Sequence, residues 1–149
     1  MNRYREGYID VRNPFHPNLV SRINFSAIDA IFFCTKNTIP IPIIDSIKEI
    51  KKPILFHIPV TSYKNHIEPN VISKRKIIEA IKQLSLLLGK DNVVVRYNLI
   101  FISDKYSLTY HIKAFEKLCK NLDGYISKIL ISFLDDYKNV RKNKRILNY

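Results

Sequence analysis

VVVRYN, residues 93–98, begins like a buried strand and ends in an arginine, a phenol and an amide. Three consecutive valines suit a strand covered on both faces, as strands of parallel sheets are. Alternation places Arg96 and Asn98 on one side and Val95 and Tyr97 on the other. The flanks decide what kind of sheet this strand belongs to. Before it, residues 74–88 carry Ile77, Ile81, Leu84 and Leu88 at helical spacing, and Gly89 closes the helix. After it, residues 107–122 carry Leu108, Ile112, Phe115, Leu118 and Leu122 in register, with Ser107 to cap the start and Gly124 the end. Further out, AIFFC (30–34), ILFHIPVT (54–61) and KILISFL (128–134) read as strands, and AIFFC as one buried on both faces. PIPIIDSIKEI (40–50) reads as a helix with Pro42 in its first turn and an Ile44, Ile47, Ile50 stripe.

Strands alternating with helices imply right-handed crossovers and a parallel sheet, hence an α/β fold. In front of it, residues 2–6 read as a helix tail stopped at Gly7. YIDVR (8–12) and LVSRINF (19–25) flank the turn cluster NPFHPN, which predicts a β-hairpin. The tail YKNVRKNKRIL (137–147) reads as a basic helix. No linker or repeat interrupts the chain, so residues 1–149 are expected to form one α/β domain.

Its 149 residues suffice for one core. No apolar run reaches the roughly 18 residues of a membrane span, and MNRYREGY is followed by no signal-peptide core. Cys34 and Cys119 form no metal or redox motif. A cytoplasmic location, with no membrane partner, is the expectation. The net charge of +12 suits an anionic partner, nucleic acid included. The richness in Ile, Lys and Asn with only 3 glycines also fits an AT-rich coding bias, which raises Lys without selecting a ligand. KNVRKNKR lacks the stacking platform of single-strand binders, so nucleic acid is the weaker partner.

Sites in parallel α/β sheets form at the carboxyl ends of the strands. Here every strand ends in donors and acceptors. The first gives Thr35, Lys36 and Asn37, and the second gives Thr61, Ser62 and Tyr63, with Glu68 and Asn70 beyond. The third gives Arg96, Tyr97 and Asn98, and the fourth gives Ser132, followed by Asp135, Asp136 and Tyr137. A buried arginine needs a partner, and Glu68 and Asp135 are the natural candidates. Lys36 and Arg96 suit an anionic group, Glu68 and Asp135 suit proton movement, and the hydroxyls and amides suit a polyhydroxylated small molecule. Each residue taken singly is also explained as a strand cap.

Other signals are weaker. His57 reads as a core or lining histidine, and His111, beside an apolar stripe, as a packing residue. No histidine pair has metal-ligand spacing, and no metal site is expected. Cys34 at a strand end lacks an evident histidine partner. GxSxG, Walker A and GxGxxG motifs are absent.

The pieces MNRYREGYIDVRNPFHPNLVSRI, FFCTKN, VTSYKNHIEPNV, VVVRYN, SLTYHIKAFEKL and ISFLDDYKNVRKN resemble the domain-of-unknown-function family 1848 of bacteria, in the family's order. The resemblance implies a TIM-like (β/α) barrel of which this chain supplies part. It also implies truncation at both ends, since members begin a strand earlier and continue to a cysteine cluster. The CxxxCxxC spacing of that cluster is similar to that of iron–sulfur radical enzymes, and its ligands lie outside this chain, so no cofactor is expected here. Cys34 and Val95 stand where the family has Trp, Asn98 where it has Asp, and Leu99 where it has Pro. Lys36, Asn37, Glu68, Asn70, Arg96, Ser132 and Asp135 fit the pattern. The expectation is therefore part of an enzyme's small-molecule site, without catalysis by this chain alone. Its open sheet edges would pair with a second copy or a missing half. A basic nucleic-acid-binding module and a nonfunctional remnant are the alternatives.

Overall fold

The computed structural model describes residues 2–36, 45–135 and 140–141. Asn37, Asp136, Tyr137, the start of the 40–50 helix and most of the basic tail lie outside them. The described residues fall into two units, 2–31 with 45–54 and 32–36 with 55–135 and 140–141.

The first unit opens with helix α1 (Asn2–Glu6). It stops at Gly7, whose φ of +84° is a conformation L side chains rarely adopt. Strands β1 (Tyr8–Arg12) and β2 (Val20–Asn24) then pair antiparallel, Asp10 opposite Arg22. The turn between them is held by Asn13, whose side chain accepts from the amides of Phe15 and His16. Short polar side chains of this kind stabilise turns. Arg5 forks onto Glu49, Tyr4 packs against Phe25, and residues 45–47 are helical.

The second unit is built on a four-stranded parallel sheet of β3 (Ile31–Cys34), β4 (Ile54–Pro59), β5 (Val93–Ile100) and β6 (Ile129–Phe133), in that order. Helix α2 (Lys74–Leu88) joins β4 to β5, and α3 (Leu108–Leu122) joins β5 to β6. Ser73 and Ser107 cap the helix starts by accepting from the amides of Lys76 and Tyr110. Gly89, at φ +90°, ends α2 with its amide on the Ser85 carbonyl.

Register sorts the two faces of this sheet. Phe56 lies beside Val93, and Ile58 beside Val95. All four are buried on the side where Tyr97 meets His111 and Phe115 of α3. Pro59, Arg96 and Leu130 align on the opposite face.

Three expectations change in detail. AIFFC is not covered on both faces, because Phe32 is 61% exposed. In the described sheet β3 is an edge strand; Phe33 on its other side stacks on Phe56, while Phe32 meets the His57 ring edge-on. The VVVRYN strand runs on through Leu99 to Ile100. The buried stripe of α3 is rotated from the expected one: Leu108 and Ile112 are exposed, while His111, Leu118 and Leu122 are buried. A histidine belongs in that stripe because both its ring nitrogens find partners there, as described next.

Candidate functional site

Where β4 ends, the Val60 amide still donates to the Arg96 carbonyl at 2.9 Å, so the chain leaves the sheet at Thr61. It then turns over residues 64–68, with the Ile67 and Glu68 amides on the Lys64 carbonyl. That turn carries Glu68 back over the strand ends. Its carboxylate, 10% exposed, accepts from the Lys36 ammonium through Oε1 and from the Thr61 hydroxyl through Oε2. Lys74, the first residue of α2, places Nζ 3.8 Å from Oε2 and donates to the Tyr63 carbonyl at 2.5 Å. Burial lowers the Lys74 pKa from its ordinary value, opposed by the attraction of Glu68. Two ammonium groups thus share one carboxylate, which leaves the group with a surplus positive charge.

The structure therefore joins Lys36, Thr61 and Glu68, three residues marked by the sequence, and adds Lys74, which reads in sequence as an ordinary helix start. Arg96 does not pair with Glu68 as expected. Arg96 is half-buried, lies on the opposite sheet face from Tyr97, and forms no hydrogen bond or ion pair among the described residues. Glu68 is instead taken up by lysines from β3's exit and α2, which reach it from two sides. Tyr63 lies in the core with Phe101 and Tyr106, its ring stacked 4.6 Å from Phe101. Its hydroxyl donates to the Leu99 carbonyl at 2.7 Å and accepts from the Phe101 amide at 3.0 Å. Burial pushes this phenol up to about 12. The Thr35 amide donates to the His57 carbonyl, and Asn70 is exposed just after Glu68. Asn98 and Ser132 are half-buried on β5 and β6, and Asp135 is exposed beyond β6.

A second polar group sits beneath the helices. His111, 4% exposed, donates through Nε2 to the Phe101 carbonyl at 3.1 Å. That bond leaves Nδ1 as an acceptor, facing the Tyr97 hydroxyl at 3.1 Å and the Ser62 hydroxyl at 3.3 Å. Burial lowers the histidine pKa and raises that of Tyr97, so both stay neutral at pH 7. Ser62 and Lys74 line two adjoining cavities. One, of about 580 Å³, opens between α2 and α3 with Arg75, Tyr110 and Lys117. The other, of about 610 Å³, lies over the 62–74 loop with His66 and Glu68. Ser62 stood in the polar run after β4. His111 is one position off the stripe the sequence suggested, and only the rotated stripe would have marked it as buried.

Among the described residues, no helix is long and apolar enough to cross a membrane. No three His, Cys, Asp or Glu side chains among them gather as metal ligands. Both cysteines are free.

Parallel β-α units with a polar group over the strand ends define an α/β protein of the kind that places its sites there. Residues 1–149 match the family described as Domain of unknown function (DUF1848), and the chain belongs to that family. No curated protein and no solved structure matches it.

Proposed function

We propose that the chain forms part of a barrel-type α/β enzyme and binds a small anionic molecule at the carboxyl ends of its strands. The observation that carries this reading is the Glu68 group, with Lys36 and Lys74 on one carboxylate. The surplus charge suits a phosphate or carboxylate, which would sit on the ammonium groups while Glu68 orients it or takes a proton. Arg96 supplies a further cation with no internal counter-charge among the described residues. Thr35, Asn37, Thr61, Asn70, Asn98 and Ser132 offer hydroxyls and amides to a polyhydroxylated ligand, and Asp135 a second carboxylate. The edges of β3 and β6 would pair with a second copy or with further barrel strands.

Calorimetric titration with inorganic phosphate, a sugar phosphate and a dicarboxylate tests the site. At least one should bind, and Lys36→Ala should weaken it about 10-fold or more, the scale of one lost charge-assisted hydrogen bond. Binding that ignores both Lys36→Ala and Arg96→Ala would sink the reading. The +12 charge favours nucleic acid as a second reading. Filter binding at two salt concentrations separates it, since phosphate-backbone contacts weaken steeply with salt.

A further inference from the structure

We propose that Ser62 is a nucleophile and His111 its base, acting on an anionic carboxylic ester in the cleft between α2 and α3. A serine hydroxyl is a poor nucleophile alone. It is activated by an acceptor within hydrogen-bond reach that is itself held by a third group. All three parts are present. Ser62 Oγ lies 3.3 Å from Nδ1 of His111, and Nε2 is tied to the Phe101 carbonyl at 3.1 Å, which fixes the tautomer with the Nδ1 lone pair facing the Ser62 and Tyr97 hydroxyls. The Tyr110 hydroxyl donates to the Ser62 carbonyl at 2.6 Å and holds the serine backbone in place.

The surroundings select the substrate. Ser62 is half-exposed and faces a cleft of about 580 Å³, room for a small ester. Lys74, Arg75 and Lys117 line that cleft against the single carboxylate of Glu79, so a negatively charged substrate is favoured. The neutral state of the buried histidine, described above, supports its role as a proton acceptor.

The step balances without an outside oxidant or reductant. Ser62 Oγ attacks the ester carbonyl carbon, a carbon–oxygen bond forms, and the hydroxyl proton passes to Nδ1. The alcohol leaves with that proton as the ester bond breaks. Water then attacks the acyl-serine, gives its proton to Nδ1, and the serine oxygen recovers it as the acid departs. Tyr97 competes for the same lone pair from 3.1 Å, so it moderates the base.

The Ser62–His111 pair is distinct from the Lys36–Glu68 pair, and Lys74 borders both sites. A fluorophosphonate probe tests the assignment in the full chain, read by intact mass and peptide mapping. The expected result is a single adduct on Ser62, absent in Ser62→Ala and formed at least 10-fold more slowly in folded His111→Gln. Should His111→Gln fail to fold, Tyr97→Phe takes its place. It frees Nδ1 for the serine, so labelling should hold or accelerate, and loss of labelling would overturn the pair. No adduct on the wild type, adducts spread over several serines, or an unchanged rate in His111→Gln would also overturn it.

Discussion

In the hairpin, every residue of β2 is exposed, and Ile23 keeps 41% of its surface in water. In the sheet unit, the three valines that begin β5 are all buried, and Leu84 of α2 is fully covered. Both regions carry β-branched residues on strands. The difference lies in what the sequence supplies beside them. YIDVR and VSRIN alternate with charges, and the helical segments described in their unit are short, the longest being the five residues of α1. A two-stranded ribbon of that kind is marginal by itself. VVV is flanked by two 15-residue helices whose stripes cover the same face. Stability should therefore be concentrated in the sheet unit, and polar groups should matter in proportion to their burial.

The largest test of that contrast is truncation of an apolar side chain in each region. Leu84→Ala should cost about 2–5 kcal/mol, the range for a filled core position. Ile23→Ala should cost about 0.5 kcal/mol or less, as surface changes do. Urea unfolding of both variants measures this. Equal losses would break the comparison.

The comparison also explains how much of the molecule was legible. Long periodic segments such as 74–88 and runs such as VVV announce themselves, because burial of a whole face needs a regular pattern. The α3 stripe reads one position off in the sequence because Leu108 and Ile112 look like core residues and His111 does not. Hydropathy takes no account of a histidine with both nitrogens satisfied. The Glu68 group was legible only as candidates: residue type marked Lys36, Thr61 and Glu68, but the tight turn at 64–68 decides which cation reaches the carboxylate. Arg96 lost that contest to Lys74, and no spacing rule could have said so.

Tyr63 gives the next effect. Its folded pKa of about 12 stands above the ordinary 10, so the fold favours the neutral phenol. Stability from this group is fully present below pH 10 and is lost as pH rises toward 12. At about 1.4 kcal/mol per unit, the loss is about 2–3 kcal/mol. The stability difference between wild type and Tyr63→Phe should shrink by that amount between pH 9.5 and 12. A difference constant with pH would mean the hydroxyl is not enclosed.

Glu68→Gln should follow, at about 1–2 kcal/mol, because it removes the charge from hydrogen bonds to a lysine and a threonine at a nearly buried position. Lys36→Ala in the same background should then add little, since the two share one interaction. Full additivity in thermal unfolding would show that the pair is uncoupled. His111 adds a pH signature of opposite sense to that of Tyr63. Its depressed pKa means the unfolded chain binds the proton first, near pH 6.5. Stability is present above that value and is lost as pH falls through the lower folded pKa. Wild type should lose Tm on acidification from pH 7.5 to 5.5 relative to His111→Gln. No relative loss would mean the ring is solvated.

The smallest effect belongs to the hairpin's own ion pair, which geometry alone would rank among the strongest. Arg22 forks onto Asp10 at 2.7 and 2.8 Å and also sits over the Tyr8 ring. The bond lowers the Asp10 pKa, so any contribution to stability is present above the ordinary carboxylate value and is lost as pH falls through the folded one. Both groups are largely in water, however, where the Coulomb attraction is screened and two long side chains are ordered for little return. Asp10→Asn should shift Tm at pH 7 no more than an exposed control such as Lys113→Ala, and the two should coincide at pH 3. A shift as large as that of Glu68→Gln would mean that the hairpin pair is shielded from water as the strand-end carboxylate is.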